Sequence, residues 1–173
     1  MRAEVIAHKK NRSVALGEHV TLTFEDELTI RYQIQEMLRV ERIFEAAGIQ
    51  DELDAYNPLI PDGANWKATM LIEYPDVAER QTMLARLNGI EHQVWAQAAG
   101  QSKIFAIADE DMERANAEKT SAVHFMRFEL DPATVGAIKA GAAIAIGIDH
   151  PQYSVQIPTL PAASHNALVQ DLA

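Results

Sequence analysis

The feature that most constrains the fold of this chain is a series of short segments whose apolar residues alternate with period two. Such a segment is expected to form a strand with one buried face and one polar face. The first two are Val14–Phe24 and Leu28–Ile34, and the polar run Glu25–Glu27 between them predicts a turn. Together they predict an antiparallel β-hairpin.

Further segments have the composition of strands and are bounded by turn residues such as Gly, Pro and Asp. They are Ala68–Tyr74, His92–Ala98, Lys103–Ala108, Ser121–Leu130, Ala142–Ile148 and Tyr153–Ile157. The second and third of them are predicted to form another hairpin around Gly100.

Helical segments are fewer than strands. Apolar residues at helical spacing predict a helix over Glu36–Ala47, and Ala162–Leu172 is predicted to close the chain as a helix. A capping box beginning at Asp76 and the pair Asp131-Pro132 predict the starts of two more helices.

The order of these segments favours an α+β fold, because strands outnumber helices and do not alternate strictly with them. We predict a single α+β domain over residues 1–173, with a mixed, mostly antiparallel sheet and about four helices. Val5–Arg12 is predicted to be the end of a helix, and it lacks a preceding capping residue. Part of an N-terminal helix is therefore expected to be missing. The acidic run Asp109–Lys119 is predicted to be a short helix or a loop.

Composition excludes several chemistries. The chain contains no cysteine, which excludes a thiol nucleophile, disulfides and thiolate ligation of a metal, and is typical of a cytoplasmic protein. The net charge of −10 makes nucleic acid an unexpected partner, because phosphate backbones are bound by clustered Lys and Arg. The one basic cluster, Lys9, Lys10 and Arg12, is interpreted as a solvated helix end. The longest apolar stretch, Ala140–Ile148, is too short to span a membrane.

No motif for a cofactor or for a known catalytic site is present. The sequence contains no G-x-G-x-x-G, no Walker loop, no H-E-x-x-H and no G-x-S-x-G. We therefore expect no cofactor, and the pattern identifies no catalytic residue.

The candidate ligand-binding residues are Arg31, Gln35, Arg39 and Arg42. If a helix begins at Gln35, then Gln35, Arg39 and Arg42 lie on one stripe, with Arg31 on the strand just before it. Arginine and amide side chains at a helix start could bind a carboxylate or phosphate. The alternative is a salt-bridge network in which nearby glutamates neutralise the arginines.

Three histidines are the candidate metal ligands if any metal is bound. His124 shares the apolar face of its strand, so it is either a hydrogen-bonded core histidine or a metal ligand or proton carrier. His150 lies in a D-H-P turn. His19 lies on the polar face of the predicted hairpin, called here the polar hairpin face, which is formed by His19, Thr21, Thr23, Thr29, Arg31 and Gln33. The spacing of the three does not indicate that they converge, and the chain has no cysteine and no paired ligand motif, so we predict no metal.

Several strings resemble one family along nearly the whole chain, from Val5 to Leu172. They are HKKNR, LGEHVTLTFED, RYQIQEMLRVERIF, AYNPLIPDG, KATMLIEYPD, KTSAVHFMRFEL and DHPQY. This sequence resembles the bacterial family known as domain of unknown function 3501, for which no activity is established. Genes of the family often lie near genes for rubrerythrin-like proteins and iron–sulfur oxidoreductases, so the resemblance implies a setting in a redox or oxidative-stress system.

Three hypotheses for function follow. The first is a non-enzymatic accessory or binding protein that works with a cytosolic redox or peroxide-stress system and has a redox protein as partner. The second is an enzyme or sensor that binds a small anionic or metal ligand near Arg31–Arg42. The third is a structural homo-oligomer whose interface is the polar hairpin face.

Overall fold

A computed structural model describes residues 2–109 and 119–173 of the chain. These residues form helices α1 to α6 and strands β1 to β9. The helices are α1 Arg2–Lys10, α2 Glu27–Val40, α3 Ala46–Tyr56, α4 Val77–Arg86, α5 Pro132–Lys139 and α6 Ala162–Val169. The strands are β1 Ser13–Leu16, β2 Val20–Glu25, β3 Asn65–Ile72, β4 Val94–Ala98, β5 Ile104–Phe105, β6 Ile107–Ala108, β7 Val123–Glu129, β8 Ile144–His150 and β9 Tyr153–Ile157. Short 3₁₀ turns lie at Asn57–Leu59 and Ile90–His92.

The strands form two antiparallel sheets. One has the order β1-β2-β3-β7-β6, the other the order β5-β4-β8-β9. The α+β class of the single domain is thus as predicted. The expectations of a mixed sheet and of about four helices are corrected, since all strand pairs in the described part of the chain are antiparallel and six α-helices occur there.

The core forms from the inner faces of both sheets. Alternation along β7 turns Met126 and Phe128 inward, and β8 contributes Ile146 and Ile148 from the other sheet. Helices α4, α5 and α6 add apolar side chains to the same cluster. Removing a large apolar side chain from water contributes about 1.5–3 kcal/mol, so this shared core is the main source of stability.

The predicted strand Leu28–Ile34 is wrong, because these residues lie in α2. Asp26 caps that helix: its side chain accepts a hydrogen bond from the Thr29 backbone N–H at 3.0 Å, and the Thr29 hydroxyl accepts one from the Asp26 N–H at 2.9 Å. The apolar residues of this segment also fit helical spacing, since the buried Ile30 and Ile34 are one turn apart. The apolar pattern of this segment fits both a strand and a helix, and the capping box favours the helix.

The first hairpin is instead made by β1 and β2. Its turn contains Gly17 at a φ of 73°, a left-handed conformation that glycine adopts at little cost. The predicted helix over Glu36–Ala47 is also corrected. Its first half is the end of α2, and Arg42 interrupts it at a φ of 53° before α3 begins.

Most elements in the second half of the chain agree with prediction. Asp76 and Asp131 cap α4 and α5 by accepting backbone N–H hydrogen bonds, and Tyr153–Ile157 is a strand. The segment Lys103–Ala108 differs, because it is divided between the two sheets: β5 pairs with β4, and β6 pairs with β7. The prediction for Asp109–Lys119 falls mainly on residues 110–118, which lie outside the described residues. Among the described helices, none is long and apolar enough to cross a membrane.

Candidate functional site

Helices α1, α2 and α3 cover the central part of the outer face of the five-stranded sheet. A cavity between them and the sheet is lined by Lys9 of α1, Gln33 of α2 and Tyr56 of α3, together with side chains of β2, β3 and β7. The polar hairpin face, which is the predicted oligomer interface, is therefore divided: Thr23 lines this cavity beneath the helices, whereas Thr29, Arg31 and Gln33 belong to α2. This rearrangement follows from α2 being a helix rather than a second hairpin strand.

Helices α2 and α3 form a helical hairpin, residues 27–56, that contributes little to the core. Only Thr29, Ile30 and Ile34 of α2 are buried, all within residues 27–34, and no residue of α3 is buried. At the turn between the helices the side chains of Val40 and Phe44 are 62% and 81% exposed. These two residues form the apolar tip of the helical hairpin.

The four predicted ligand-binding residues all lie on this helical hairpin. Arg31, Gln35 and Arg39 follow one another at four-residue spacing on the exposed side of α2, and Arg42 lies in the turn. The expectation that a helix begins at Gln35 is wrong, since α2 begins at Glu27. The free backbone N–H groups of the first turn therefore lie about three turns before Arg39 and do not assist an anion there.

Intrahelical glutamates balance two of the arginines. Arg31 donates to the Glu27 carboxylate, and Arg39 Nη2 lies 2.8 Å from Glu36 Oε2. The hydrogen bond from Arg39 lowers the pKa of the Glu36 carboxyl and raises the pKa of Arg39. This geometry favours the salt-bridge interpretation of the stripe, and binding of an anion by it remains a prediction.

The charge of the helical hairpin is strongly acidic as a whole. Residues 27–56 contain three arginines and seven acidic side chains, which gives a net charge of −4. The acidic residues are Glu27, Glu36, Glu41, Glu45, Asp51, Glu52 and Asp54. The exposed surface of the helical hairpin is therefore acidic, with apolar side chains at its tip.

His124 lies in a buried polar cluster in the core. Its Nδ1 contacts the Asp109 carboxylate, and its Nε2 lies 2.8 Å from the Thr120 hydroxyl and 2.9 Å from the Ser121 carbonyl oxygen. The Thr120 hydroxyl in turn donates to Glu91 Oε2 at 2.9 Å. The interpretation of His124 as a hydrogen-bonded core residue agrees with this placement.

The hydrogen-bonded series Thr120–His124–Asp109 has the form of a nucleophile–base–acid triad, but its hydrogen bonds and burial do not suit nucleophilic catalysis. A triad needs a nucleophile whose proton passes to the histidine. The Thr120 proton is directed to Glu91, and Thr120 is only 1% exposed. The cluster therefore fastens the 3₁₀ turn Ile90–His92 to β7 and does not form an open catalytic site.

The other two histidines have separate local roles. His150 accepts from the Gln152 N–H at Nδ1 and donates to the Asn88 carbonyl from Nε2 at 3.0 Å, so it stabilises its own turn and joins it to the segment after α4. His19 stacks on Tyr74 with ring centroids 3.9 Å apart. Within residues 2–109 and 119–173, no group of three or more His, Asp or Glu side chains could hold a metal ion.

Sequence reasoning missed a buried ionic network around Arg12. Arg12 is 2% exposed; it donates to the carbonyl oxygens of Phe24 at 2.8 Å and Ala167 at 3.1 Å and pairs with the Asp171 carboxylate. Asp26 Oδ2 lies 3.5 Å from Arg12 Nε. The interpretation of Arg12 as part of a solvated helix end is therefore wrong. Nothing local marks it, because its partners are 12 or more residues away in the chain.

The network shifts two carboxyl groups in opposite directions. Burial raises the pKa of Asp171, although the hydrogen bond and charge of Arg12 act against it. Burial also acts to raise the pKa of Asp26, but hydrogen bonds from the Thr29 backbone and from His8, with the charge of Arg12, hold it below the ordinary value. The network joins α1, the start of α2 and the end of α6.

Comparison with known proteins gives a family and a neighbour of unknown function. The profile of the family described as Protein of unknown function (DUF3501) matches residues 1–172. The crystal structure of a novel protein of unknown function from Burkholderia pseudomallei is similar, with 54% sequence identity and a TM-score of 0.94, over 99% of this chain and 89% of that chain. No curated protein matches.

Proposed function

Because the chain belongs to the family of unknown function DUF3501, we propose its function from its geometry: it is a non-enzymatic accessory protein that docks on a partner protein through the apolar tip. The exposure of Phe44 carries this proposal. Phe44 is the most exposed of the large apolar side chains in the described part of the chain, and Val40, four residues earlier, is also exposed. An exposed apolar cluster with a polar surround is typical of a protein interaction site.

The form of the helical hairpin supports docking. An aromatic residue at the centre of a protein contact contributes much of its affinity. Val40 is the last residue of α2 and Phe44 lies in the turn before α3, and neither takes part in the core cluster. A surface that folding does not need is available for a partner.

Charge identifies the kind of partner. The helical hairpin carries −4 and the whole chain −10, so a second copy of this chain would bring like charge to the contact. A partner with an apolar pocket surrounded by Lys and Arg would gain favourable electrostatics. We propose a protein of a redox or peroxide-stress system as this partner, and that part of the proposal rests on the family resemblance of the sequence.

Site-specific photo-crosslinking in cells tests the proposal. A photoreactive phenylalanine analogue is placed at Phe44 and, as a matched control, at Val77 of α4, which is 56% exposed and far along the chain. We expect one heterologous protein to cross-link through position 44 and not through position 77. Binding to that purified protein should weaken about tenfold or more with Phe44→Ser and should also weaken as salt is raised.

Two results would count against docking on a different protein. Cross-links only between copies of this chain would favour a homo-oligomer. Equal cross-linking from positions 44 and 77, or none from position 44, would show that the apolar tip is not a specific docking surface.

A further inference from the structure

We propose that the cavity beneath the helical hairpin binds a small zwitterion with an apolar body, of the size and chemistry of a free amino acid. This cavity, called here the outer-face cavity, lies between the outer face of the five-stranded sheet and helices α1 to α3. Its volume is about 290 Å³, close to the lower limit of common small-molecule sites. The inference is independent of docking through the apolar tip.

Glu25 is the charged group on the sheet side of the outer-face cavity. It is 9% exposed, and its two carboxylate oxygens accept hydrogen bonds from the hydroxyls of Thr69 at 3.0 Å and Thr29 at 2.5 Å. Each oxygen can accept a second hydrogen bond. No cation forms an ion pair with Glu25 within residues 2–109 and 119–173, although a buried carboxylate is stabilised by one.

The opposite charge is supplied by Lys9 on α1. It lines the outer-face cavity, and it has no ion pair or side-chain hydrogen bond with the described residues. Gln33 and Tyr56 also line the cavity without a side-chain hydrogen bond to a described residue. The cavity therefore holds an acceptor at Glu25, a cation at Lys9 and additional polar groups available to a ligand.

The remaining walls are apolar, among them Ile30, Leu71, Val123 and Phe125. An ammonium group would complete the acceptor positions of Glu25, a carboxylate would pair with Lys9, and an aliphatic side chain would fill the apolar part. A simple anion would lie near Glu25 without compensation, and a simple cation would leave Lys9 unpaired. A molecule with both charges matches the cavity best.

Isothermal titration calorimetry on the whole chain tests the inference with three probes that share one branched apolar body. Leucine carries both charges, isoamylamine only the ammonium and 4-methylpentanoate only the carboxylate. We expect leucine to bind most tightly, with each single-charge probe weaker by about tenfold or more, the loss expected for one charged hydrogen bond.

Matched variants assign each charge. Glu25→Gln should weaken leucine and isoamylamine about tenfold or more and leave 4-methylpentanoate unchanged. Lys9→Met should weaken leucine and 4-methylpentanoate and leave isoamylamine unchanged, while Lys10→Met, at an exposed neighbouring position, should change none of them. Lys9 lies on the surface helix, so Lys9→Met tests the site even if Glu25→Gln does not fold.

The inference is overturned if none of the three probes binds. It is equally overturned if leucine binds with the same affinity to the wild type, Glu25→Gln and Lys9→Met. Neither result would bear on cross-linking through position 44, so failure of this inference is distinguishable from failure of the proposed function.

Discussion

The two faces of the five-stranded sheet carry similar residues but differ in how tightly these residues are packed. On β7, Phe128 points inward and is fully buried in the core cluster, whereas Phe125, three residues earlier, lies on the outer face against a cavity. On β2 the inward Phe24 has the outward Glu25 as its neighbour. The inner face is packed for stability, and the outer face keeps a charge and an open volume beneath helices.

From this difference we infer that the residues important for stability lie on the inner face of the sheet and the residues available for binding lie on its outer side. The inner face shares a single apolar cluster with the second sheet and three helices. The outer layer contains α3, which buries no residue, and the exposed apolar tip. Substitutions on the two faces should therefore have different consequences.

The largest effect is expected when the same residue type is removed from both faces of β7. Phe128→Ala should lower the free energy of unfolding by about 3–5 kcal/mol, because it leaves a void in a close-packed core. Phe125→Ala, at a site that already adjoins a cavity, should cost less than half as much. Urea denaturation measures both, and equal losses would contradict the assigned difference between the faces.

A somewhat smaller loss of stability is expected when the buried Arg12 is replaced, and almost none when the exposed Arg31 is replaced. Arg12→Met should cost about 3 kcal/mol, because it leaves the carboxylate of Asp171 buried and unpaired. Arg31→Met is the control: Arg31 is 57% exposed and, among the described residues, pairs only with an exposed glutamate, so its loss should cost about 0–0.5 kcal/mol. A large loss from Arg31→Met would show that the outer layer is coupled to the core.

The pH dependence of stability should show the opposite shifts at Asp171 and Asp26. Because the pKa of Asp171 is raised in the folded chain, the folded chain binds this proton at a higher pH than the unfolded chain does. The contribution of Asp171 to stability is therefore complete below the ordinary pKa of an aspartate, and it is lost as the pH rises from that pKa through the raised pKa. The pKa of Asp26 is lowered in the folded chain, so the contribution of Asp26 to stability is present at a pH above the ordinary pKa of an aspartate and is lost as the pH falls through the lowered pKa.

Asparagine variants separate these two contributions. Relative to the wild type, Asp171→Asn should make stability rise more steeply with pH just above about pH 4, and Asp26→Asn should reduce the loss of stability in more acidic solution. Urea midpoints measured across this range check the slopes. The same slope change in both variants would contradict the opposite shifts.

The smallest effect on stability is expected at the apolar tip. Phe44→Ser should leave the urea midpoint nearly unchanged, since Phe44 is exposed and outside the core cluster. A stability loss comparable to that of Phe125→Ala would show that the apolar tip is part of the fold rather than a surface for a partner.

Local signals in the sequence predicted part of this fold. The caps at Asp76 and Asp131 and the strand Tyr153–Ile157 follow from short-range chemistry, and the family resemblance is confirmed. The capping box at Asp26 is an equally local signal that could have identified α2. The alternation of apolar residues after it concealed the helix, because those residues fit both periods.

The candidate sites could be predicted less well, because they depend on tertiary contacts. The local pattern predicts a turn at Glu25, yet Glu25 is the last residue of β2 and accepts a hydrogen bond from Thr69 of β3. The local pattern predicts a solvated Arg12, but Arg12 is buried against Asp171, which is 159 residues away in the chain. Phe44 has helical spacing typical of a core residue, and only the packing of α3 shows that it is exposed.

Hydrogen–deuterium exchange of the wild type and of Phe128→Ala tests most directly the central claim that the outer helical hairpin is energetically separate from the core. The account predicts that Phe128→Ala accelerates exchange in β3 and β7 in proportion to its loss of stability, because these amides open only with the whole fold. Exchange in α3, residues Ala46–Tyr56, should be fast and the same in both proteins, because it opens locally. Acceleration of α3 by the same factor as β3 would contradict the claim.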